Sequence, residues 1–257
     1  MAIIEVNQLT RAFGKFVAVK AVTFSIECGE IFGFLGANGA GKTTCMRMLT
    51  GLLAPTSGEA SVAGFDVYAQ PNQIKRHIGY MSQHFSLYED LTVRENIRFY
   101  GGIYGLSNRV IKTKTAQLLE RLDLAHTRDL RIRSLPLGWR QKLAFSVAIL
   151  HEPRIVFLDE PTGGVDPITR RQFWDLIYEA AAGGVTVFVT THYMDEAEYC
   201  DRVSIMVEGR IEALGRPGEL KNDYAAETMN EVFLRLARGD TEPAGASSES
   251  AEKGGEG

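Results

Sequence analysis

The stretch GANGAGKTT, residues 36–44, decides the fold of this chain, and it follows the apolar run IFGFL of residues 31–35. It matches the phosphate-binding pattern G-x-x-x-x-G-K-[ST], whose glycines let backbone N–H groups surround phosphate oxygens at a helix N-terminus. The fixed positions are Gly36, Gly41, Lys42 and Thr43. We predict that Lys42 reaches the β- and γ-phosphates of a nucleotide and that the Thr43 hydroxyl ligates Mg²⁺. A glycine-rich turn without a ligand is disfavoured, because strand, loop and helix signals occur in the order that the motif requires.

The composition is typical of a globular chain. The 257 residues are 45% hydrophobic and 23% charged, and no apolar run approaches the ~20 residues that a transmembrane helix needs. The N-terminal stretch MAIIEVNQLT lacks a signal-peptide pattern. The three cysteines are widely spaced and odd in number, which indicates free thiols in a reducing compartment. A function at a membrane would therefore need another chain to supply the spans.

The net charge of −4 lies at the C-terminus. Residues 240–257 contain five acidic residues and one lysine, so the rest of the chain is formally neutral. A nucleic-acid-binding protein needs a basic face, and its absence argues against that partner. Residues 239–257 contain no large apolar side chain, and we predict a disordered acidic tail there.

The hydrophobic pattern predicts two kinds of β-structure. Residues 1–35 and 58–68 alternate between apolar and polar positions, which is typical of antiparallel strands. Three later runs read as short strands with helices between them, and the first two are almost wholly apolar, as in a parallel sheet covered on both faces. These runs are residues 155–158, 185–189 and 203–207.

Helical spacing appears in two other regions. Residues 90–130 repeat apolar positions with a helical period, and Ser107 is a candidate cap. Glu208-Gly209 predicts a hairpin turn after the last short strand. A late helix with one apolar face is predicted from Glu219 to Arg238.

Two adjacent carboxylates follow the first of the three apolar runs. Residues 154–161 read RIVFLDEP, so Asp159 ends a predicted strand and Glu160 comes next. A strand-end aspartate opposite a P-loop is placed to hold Mg²⁺, usually through water. The glutamate is then free to polarise an attacking water. The alternative is a solvated strand end, which the apolar run and the P-loop disfavour.

Two further polar residues follow predicted strands. His192 comes after residues 185–191, where the ligands of parallel sheets collect, and a neutral imidazole there could donate a hydrogen bond to a γ-phosphate. Gln83 follows residues 78–82 and could ligate Mg²⁺ or orient water. A lone histidine is more often structural, and a glutamine alone is a weak signal.

Together these residues resemble the nucleotide-binding domain of ATP-binding cassette (ABC) transporters over residues 3–236. The resemblance assigns Gln83 to the Q-loop, FLDEPTGGVDP (157–167) to Walker B and the D-loop, and VTTHYMDEAE (189–198) to the switch histidine. Phe13 stands where the family places the aromatic residue that stacks on adenine. The family usually has Tyr there, and Phe keeps the π-face.

The resemblance implies an α/β P-loop NTPase fold: a mixed central sheet, an antiparallel β subdomain, and a helical subdomain at about 84–150 within a domain of residues 1–238. It implies ATP and Mg²⁺ as ligands. Catalytic roles are implied for Lys42, Glu160 and His192. Nucleotide contacts are implied for Phe13, Gly36, Ala37, Asn38, Gly39, Ala40, Gly41, Lys42, Thr43, Thr44, Gln83, Gly138 and Asp166. Metal contacts are implied for Thr43, Gln83 and Asp159.

Residues 86–106 and 231–239 resemble the ABC-2 type exporter branch. That resemblance implies an ATPase that dimerises with a second nucleotide-binding domain around two ATP molecules. It also implies a separate membrane permease, driven from the cytoplasmic face of the inner membrane through the region between Gln83 and Ser134. A soluble ABC ATPase acting on ribosomes or DNA is the alternative, but such proteins usually carry two cassettes or coiled-coil insertions. A regulatory nucleotide sensor is a third interpretation, and it would more often lack an equivalent of Glu160.

One segment departs from the family pattern. The signature motif, usually LSGGQ, reads LPLGW at residues 135–139. Pro136 replaces the serine and Leu137 the first glycine, while Gly138 remains. In the family this segment binds ATP held by the opposite subunit, so the altered motif weakens that site while leaving the P-loop site of this chain intact. Proline is tolerated in the first turn of a helix, where we expect Pro136.

Removal of residues 240–257 is expected to leave folding and nucleotide turnover nearly unchanged, because the segment has no apolar residues with which to dock. Thermal unfolding of the truncated and full-length chains checks this. A melting temperature lowered by more than a few degrees, which corresponds to roughly 1 kcal/mol in a domain of this size, would show that the tail packs on the domain.

Overall fold

A computed structural model of the chain describes residues 1–83 and 87–239. The strands are β1 (Ala2–Phe13), β2 (Phe16–Glu27), β3 (Ile31–Gly36), β4 (Ser57–Val62), β5 (Phe65–Asp66), β6 (Ile78–Met81), β7 (Ile155–Asp159), β8 (Thr186–Thr191), β9 (Arg202–Val207) and β10 (Arg210–Gly215). The helices are α1 (Lys42–Leu49), α2 (Pro71–His77), α3 (Val93–Ile103), α4 (Asn108–Arg121), α5 (Leu137–Ala148), α6 (Pro167–Ala182), α7 (Pro217–Asp223) and α8 (Met229–Arg238). The predicted acidic tail lies outside the described residues, apart from Gly239.

The first sheet is antiparallel and has the order β2-β1-β4-β5. Its inner positions alternate with solvent-facing ones, as in β2, where Val22, Phe24 and Ile26 are buried and the residues between them are not. This confirms the antiparallel strands predicted for the beginning of the chain and for residues 58–68.

The second sheet has the order β10-β9-β3-β8-β7-β6 and is parallel except for the pair of β9 and β10. Strands β3, β7 and β8 are buried along their whole length, which agrees with the nearly unbroken apolar sequences of β3 and β7, whereas β8 also buries three threonines. The turn between β9 and β10 is the predicted Glu208-Gly209 pair, and both residues have positive φ. The α/β fold with one mixed and one antiparallel sheet is confirmed.

The register of the parallel strands brings the polar ends of three of them together. Leu35 of β3 pairs with Thr191 of β8, and Asp159 of β7 pairs with Thr190 of β8. The loop after β3, the carboxylates after β7 and the histidine after β8 therefore leave the sheet at one edge, where ligands of such sheets bind.

An aromatic cluster fills the space between the two sheets. Phe24 of β2 lies 5.7 Å from Phe32 and 5.6 Å from Phe34, measured between ring centroids, and Phe34 lies 5.3 Å from Phe188. Such pairs add about 0.5–1.5 kcal/mol each beyond the burial of their area. Cys45 of α1 is fully buried against the same core, and burial raises the pKa of its thiol to about 12. The helix that follows the P-loop is thus anchored on the apolar layer between the sheets.

Helix α5 packs on β6 of the parallel sheet, and α3 packs on both α4 and α5. Helices α3 and α4 lie within residues 90–130, the region predicted to be helical. Thr92 and Glu95 form a capping box at the start of α3. Ser107 accepts a hydrogen bond from the Val110 backbone N–H, which confirms the cap predicted for α4. No helix in residues 1–83 and 87–239 combines the length and the hydropathy that crossing a bilayer requires.

The single late helix predicted from Glu219 to Arg238 is wrong, because the structure divides it into α7 and α8. Ala225 adopts a left-handed conformation with φ +46°, which ends α7. Thr228 starts α8 by accepting a hydrogen bond from the Glu231 N–H. Apolar spacing does not report such a break, because both helices bury apolar residues on the same core.

His151, between α5 and β7, is held neutral by its surroundings. Its Nε2 lies 3.2 Å from the Ile78 carbonyl oxygen, and its ring stacks on Tyr104 with centroids 3.7 Å apart. Since a carbonyl only accepts, Nε2 carries the proton, and Nδ1 is buried without a partner. Burial lowers the pKa of His151 to about 4, and the charge of Lys114 acts in the same direction.

The free energy of unfolding is expected to fall as the pH is lowered from about 6.5 to 4. The unfolded chain protonates His151 near pH 6.5, whereas the folded chain does so only near pH 4. The contribution of neutral His151 to stability is thus complete above the pKa that this residue has in the unfolded chain. It is lost as the pH falls from about 6.5 to 4, at up to about 1.4 kcal/mol per pH unit. Urea unfolding at pH 7.5 and 5 measures this change in the free energy of unfolding. His151→Phe keeps a ring for Tyr104 and should flatten the dependence, whereas His126→Phe, at an exposed site, should not. Equal pH dependence in wild type and His151→Phe would contradict the assignment.

Candidate functional site

The loop between β3 and α1 needs its glycines for two reasons. Gly36, Gly39 and Gly41 all have φ between +83° and +155°, a region that favours glycine. The loop also packs closely on neighbouring backbone. A Cβ on Gly36 would lie 2.4 Å from the Met206 carbonyl oxygen, and one on Gly41 would lie 2.5 Å from the Ala18 carbonyl oxygen. The predicted P-loop residues 36–44 therefore form a curled backbone that larger residues cannot adopt.

Lys42 begins α1 and turns its side chain back across this loop. Gly41 stands at the N-cap position, where no side chain caps the first turn, so the N–H groups of that turn are available to an anion. Lys42 is 4% exposed, and its Nζ donates to the carbonyl oxygens of Gly36 (2.8 Å) and Ala37 (3.2 Å). Burial lowers the pKa of Lys42, and the nearby Glu160 carboxylate opposes this shift. A buried cation is thus concentrated where phosphates are expected.

Asp159 is buried at the end of β7 and contacts the loop. Its Oδ1 accepts hydrogen bonds from Thr190 Oγ1 at 2.7 Å and from Thr43 Oγ1 at 3.2 Å. The Thr43 hydroxyl and the Asp159 carboxylate, two of the predicted metal-binding groups, are therefore adjacent.

Glu160 follows in a strained backbone conformation. Its φ of +48° is uncommon for a residue with a side chain, and its N–H is held by the carbonyl and hydroxyl oxygens of Thr190, both at 3.1 Å. Its carboxylate accepts a hydrogen bond from Gln83 Nε2 at 3.0 Å and lies 3.6 Å from Lys42 Nζ. His192 Nδ1 lies 3.1 Å from Glu160 Oε2, without the alignment of a hydrogen bond. The structure thus brings the three predicted catalytic side chains together, with Lys42 and His192 both next to the carboxylate of Glu160.

A cleft of about 330 Å³ opens beside these groups. Phe13 is 46% exposed at its edge, and the Arg11 guanidinium carbon lies 4.6 Å from the Phe13 ring centroid. The residues that line the cleft are Phe13, Phe16, Ala18, Asn38, Gly39, Gly41, Lys42, Thr43, Thr44, Gln83 and Glu160. An exposed aromatic at one end and a cationic loop at the other suit the base and the phosphates of a nucleotide.

The polar groups of the site also suit Mg²⁺. In the described part of the chain, no group of three or more His, Cys, Asp and Glu side chains could enclose a metal ion. The predicted ligands instead offer one hydroxyl, one amide and one carboxylate, from Thr43, Gln83 and Asp159. Mg²⁺ is usually bound by one or two carboxylates together with water and substrate phosphates rather than by a protein cage. The donor set therefore fits a metal that arrives with its nucleotide.

Gly138 and Asp166 lie apart from the lining of the cleft and contact each other through Thr169. A Cβ on Gly138 would lie 2.3 Å from Thr169 Cγ2, and Thr169 Oγ1 donates to Asp166 Oδ2 at 2.6 Å. Asp166 also caps α6 by accepting from the N–H groups of Ile168 and Thr169. The hydrogen bond from the Thr169 hydroxyl, together with these backbone hydrogen bonds, lowers the pKa of Asp166. The signature and D-loop residues are thus packed together at the starts of α5 and α6.

The placement of Pro136 in the first turn of a helix is wrong by one residue. Pro136 is the N-cap of α5, which begins at Leu137, and its carbonyl accepts from the N–H groups of Trp139 and Arg140, both at 3.1 Å. The Trp139 ring packs edge-on against His126, with centroids 5.7 Å apart. The altered motif therefore still starts a regular helix.

Sequence reasoning missed three residues of the site, namely Thr190 and, in the lining of the cleft, Phe16 and Ala18. The Thr190 hydroxyl donates to the Asp159 carboxylate, and the hydroxyl and carbonyl oxygens of Thr190 accept from the Glu160 backbone N–H. The available signal was the pair of threonines at the end of β8, of which Thr190 stands two positions before His192. Phe16 lines the cleft with 66% of its surface exposed, and an aromatic residue next to a turn gave no comparable signal.

Comparisons with known proteins identify a matching family, several relatives and a similar solved structure. A family model described as "ABC transporter" matches residues 19–163. A probable multidrug ABC transporter ATP-binding protein of Escherichia coli, YbhF, is 47% identical over 239 residues, and the match spans 91% of this chain but only 41% of that relative. The linearmycin resistance ATP-binding protein LnrL of Bacillus subtilis is 34% identical over 91% of this chain and 78% of its own length. A solved ATP-binding subunit of an ABC transporter superposes with a TM-score of 0.82 at 28% identity, covering 91% of this chain and 99% of that one.

Replacement of Lys42 by alanine is expected to weaken ATP binding as well as turnover, because it removes the buried cation from the phosphate-binding loop. Calorimetric titration of ATP measures this. Lys75→Ala, at an exposed position of α2, is the matched control and should bind as wild type does. Unchanged ATP affinity in Lys42→Ala would contradict the phosphate-binding role.

Proposed function

The chain belongs to the ABC transporter family of ATP-binding proteins, and on that basis we propose that it hydrolyses ATP to power export through a separate permease. The observation that carries this proposal is the convergence of Lys42, Gln83 and His192 on the carboxylate of Glu160. A chain that only senses nucleotide has no need of a carboxylate held at this point.

Each residue has a defined part in the proposed reaction. Glu160 is the base that polarises the attacking water. Lys42 and the backbone N–H groups of the loop bind the β- and γ-phosphates. Thr43, Gln83 and, through water, Asp159 would hold Mg²⁺, which neutralises charge on the phosphate oxygens when it is bound. His192 donates a hydrogen bond to the γ-phosphate, and Phe13 stacks on the adenine.

The three groups around the Glu160 carboxylate are also proposed to bind the nucleotide and its metal. This carboxylate is engaged by Gln83 and lies beside Lys42 and His192. All three of these groups can interact with phosphate oxygens or with the metal. We infer that these three groups connect the proposed base to the phosphates and the metal of a bound nucleotide.

A second nucleotide-binding domain is the first proposed partner. Gly138 and Asp166 are outside the lining of the cleft, at the packed starts of α5 and α6. In a head-to-tail dimer these residues would complete the ATP site of the opposite subunit. The cassette proposed to dimerise spans residues 1–238, with a helical subdomain at about 84–150.

An ABC-2 type permease is the second proposed partner, with the chain bound at the cytoplasmic face of the membrane. Exposed apolar side chains on and beside α3 support a docking surface after Gln83: Tyr88 is 51% exposed, Phe99 41% and Ile103 61%. The names of the relatives refer to multidrug transport and linearmycin resistance, which favours transport over the alternative of a soluble ATPase acting on ribosomes or DNA.

Replacement of Glu160 by glutamine tests the proposal. The amide keeps the size but loses the basicity, so turnover should fall by about 10²-fold or more while ATP stays bound in a trapped dimer. Phosphate release and gel filtration with ATP are the measurements. Glu152→Gln is the matched control, because Glu152 also has a positive φ (+58°) but its side chain is 82% exposed. Turnover of Glu160→Gln within about threefold of wild type would exclude Glu160 as the base.

A further inference from the structure

Glu196 is a fully buried carboxylate only four residues after His192. It lies in a short 3-10 helix, Met194–Tyr199, that follows β8. Its Oε1 accepts a hydrogen bond from Thr162 Oγ1 at 2.5 Å, whereas its Oε2 is buried without a hydrogen-bond partner. A buried carboxylate with incomplete hydrogen bonding is costly to the fold. Stability alone therefore does not account for a carboxylate at this position, which lies beside the segment that carries His192.

Arg170 supplies the opposite charge. Its Nε lies 3.6 Å from Glu196 Oε1, its guanidinium carbon lies 4.3 Å from the Tyr193 ring centroid, and its Nη1 lies 3.4 Å from Asp195 Oδ2. The backbone N–H of Arg170 donates to the carbonyl oxygen of Asp166 at 2.9 Å. One arginine near the start of α6 thus contacts three residues of the segment that follows His192.

Thr162 connects the same carboxylate to the other side of the site. It lies two residues after Glu160 and is 1% exposed. The intervening turn is closed by a hydrogen bond of 3.2 Å from the Gly163 N–H to the Glu160 carbonyl oxygen. Glu196 therefore links the loop after Glu160 to the loop after His192. Its hydrogen bond is with Thr162 and its ion pair is with Arg170, and not with the side chains of Glu160 and His192.

We propose that Glu196 is a positioning residue that fixes Glu160 and His192 relative to each other through Thr162 and Arg170. The proposal rests on the proposed ATPase function. Glu160 Oε2 and His192 Nδ1 are 3.1 Å apart, so the two loops must keep their separation for both groups to act at one phosphate. A misplacement of about 1 Å can cost on the order of 10²-fold in rate.

Four variants separate positioning from general stability. Glu196→Gln removes the charge, and Thr162→Val removes the hydroxyl at nearly constant volume. Thr162→Ser restores the hydroxyl and is the conservative rescue. Glu198→Gln is the matched control, because Glu198 lies in the same 3-10 helix but is 45% exposed and pairs with Lys221 at 2.7 Å.

The kinetic expectation is a fall in kcat with little change in KM. Glu196→Gln and Thr162→Val should each lower kcat by roughly 10-fold or more and leave KM for ATP within about twofold, as expected when ground-state binding is intact. The double variant should be no slower than the slower single variant, because both substitutions weaken the same link between the two loops. Thr162→Ser and Glu198→Gln should stay within about twofold of wild type. Rates are compared at a temperature at which every variant is folded.

Hydrogen exchange without nucleotide provides a readout that does not depend on turnover. Each of the two main variants should lose amide protection in both segments, 160–166 and 189–199, since the link joins them. Full turnover in both variants, or a loss of protection confined to the mutated segment, would overturn the proposal. Full turnover in folded Thr162→Val would do so even if Glu196→Gln failed to fold. If the wild type itself hydrolysed no ATP, the proposed function would fail, while the exchange data would still test the link between the loops.

Discussion

Thr190 makes the contacts on which the geometry of both carboxylates depends. Its hydroxyl donates to Asp159 and, together with its carbonyl oxygen, accepts from the Glu160 N–H. These bonds are possible because β7 and β8 are paired in parallel with Asp159 opposite Thr190. The left-handed backbone at Glu160 is unfavourable on its own, and the bonds to Thr190 keep it in place. The strand pairing thus determines where the side chain of Glu160, the proposed base, points.

The aromatic layer between the sheets provides rigidity behind this edge. Phe34 of β3 and Phe157 of β7 both pack against Phe188 of β8, with ring centroids 5.3 and 5.2 Å apart. These three strands carry the P-loop, the carboxylates and the histidine, so one cluster supports all parts of the site. Functional groups on rigid elements keep their positions better than groups on isolated loops.

The parts of the site that were predictable from sequence are those whose signals are local. The P-loop needs glycines at fixed offsets, and Asp159 and Glu160 end an unbroken apolar run. Glu196 could not be predicted, because it stands in the acidic segment YMDEAEY, which reads as solvated surface. Its burial results from Thr162 and Arg170, which are distant in sequence. The break between α7 and α8 was hidden for a related reason, since it depends on the left-handed backbone of Ala225 and not on composition.

The left-handed conformation of Glu160 is unfavourable for a residue with a side chain, whereas the proposed activity needs the side chain at this position. A side chain in that region costs of the order of 1 kcal/mol or more, and glycine would relieve the strain. Directed evolution scored only on heat resistance would consequently reward the loss of this side chain once a second substitution also removed the buried cation of Lys42, and both proposed catalytic groups would then be lost. Selections on this scaffold need turnover as a second criterion, because the most heat-resistant variant and the active variant would carry different residues at position 160.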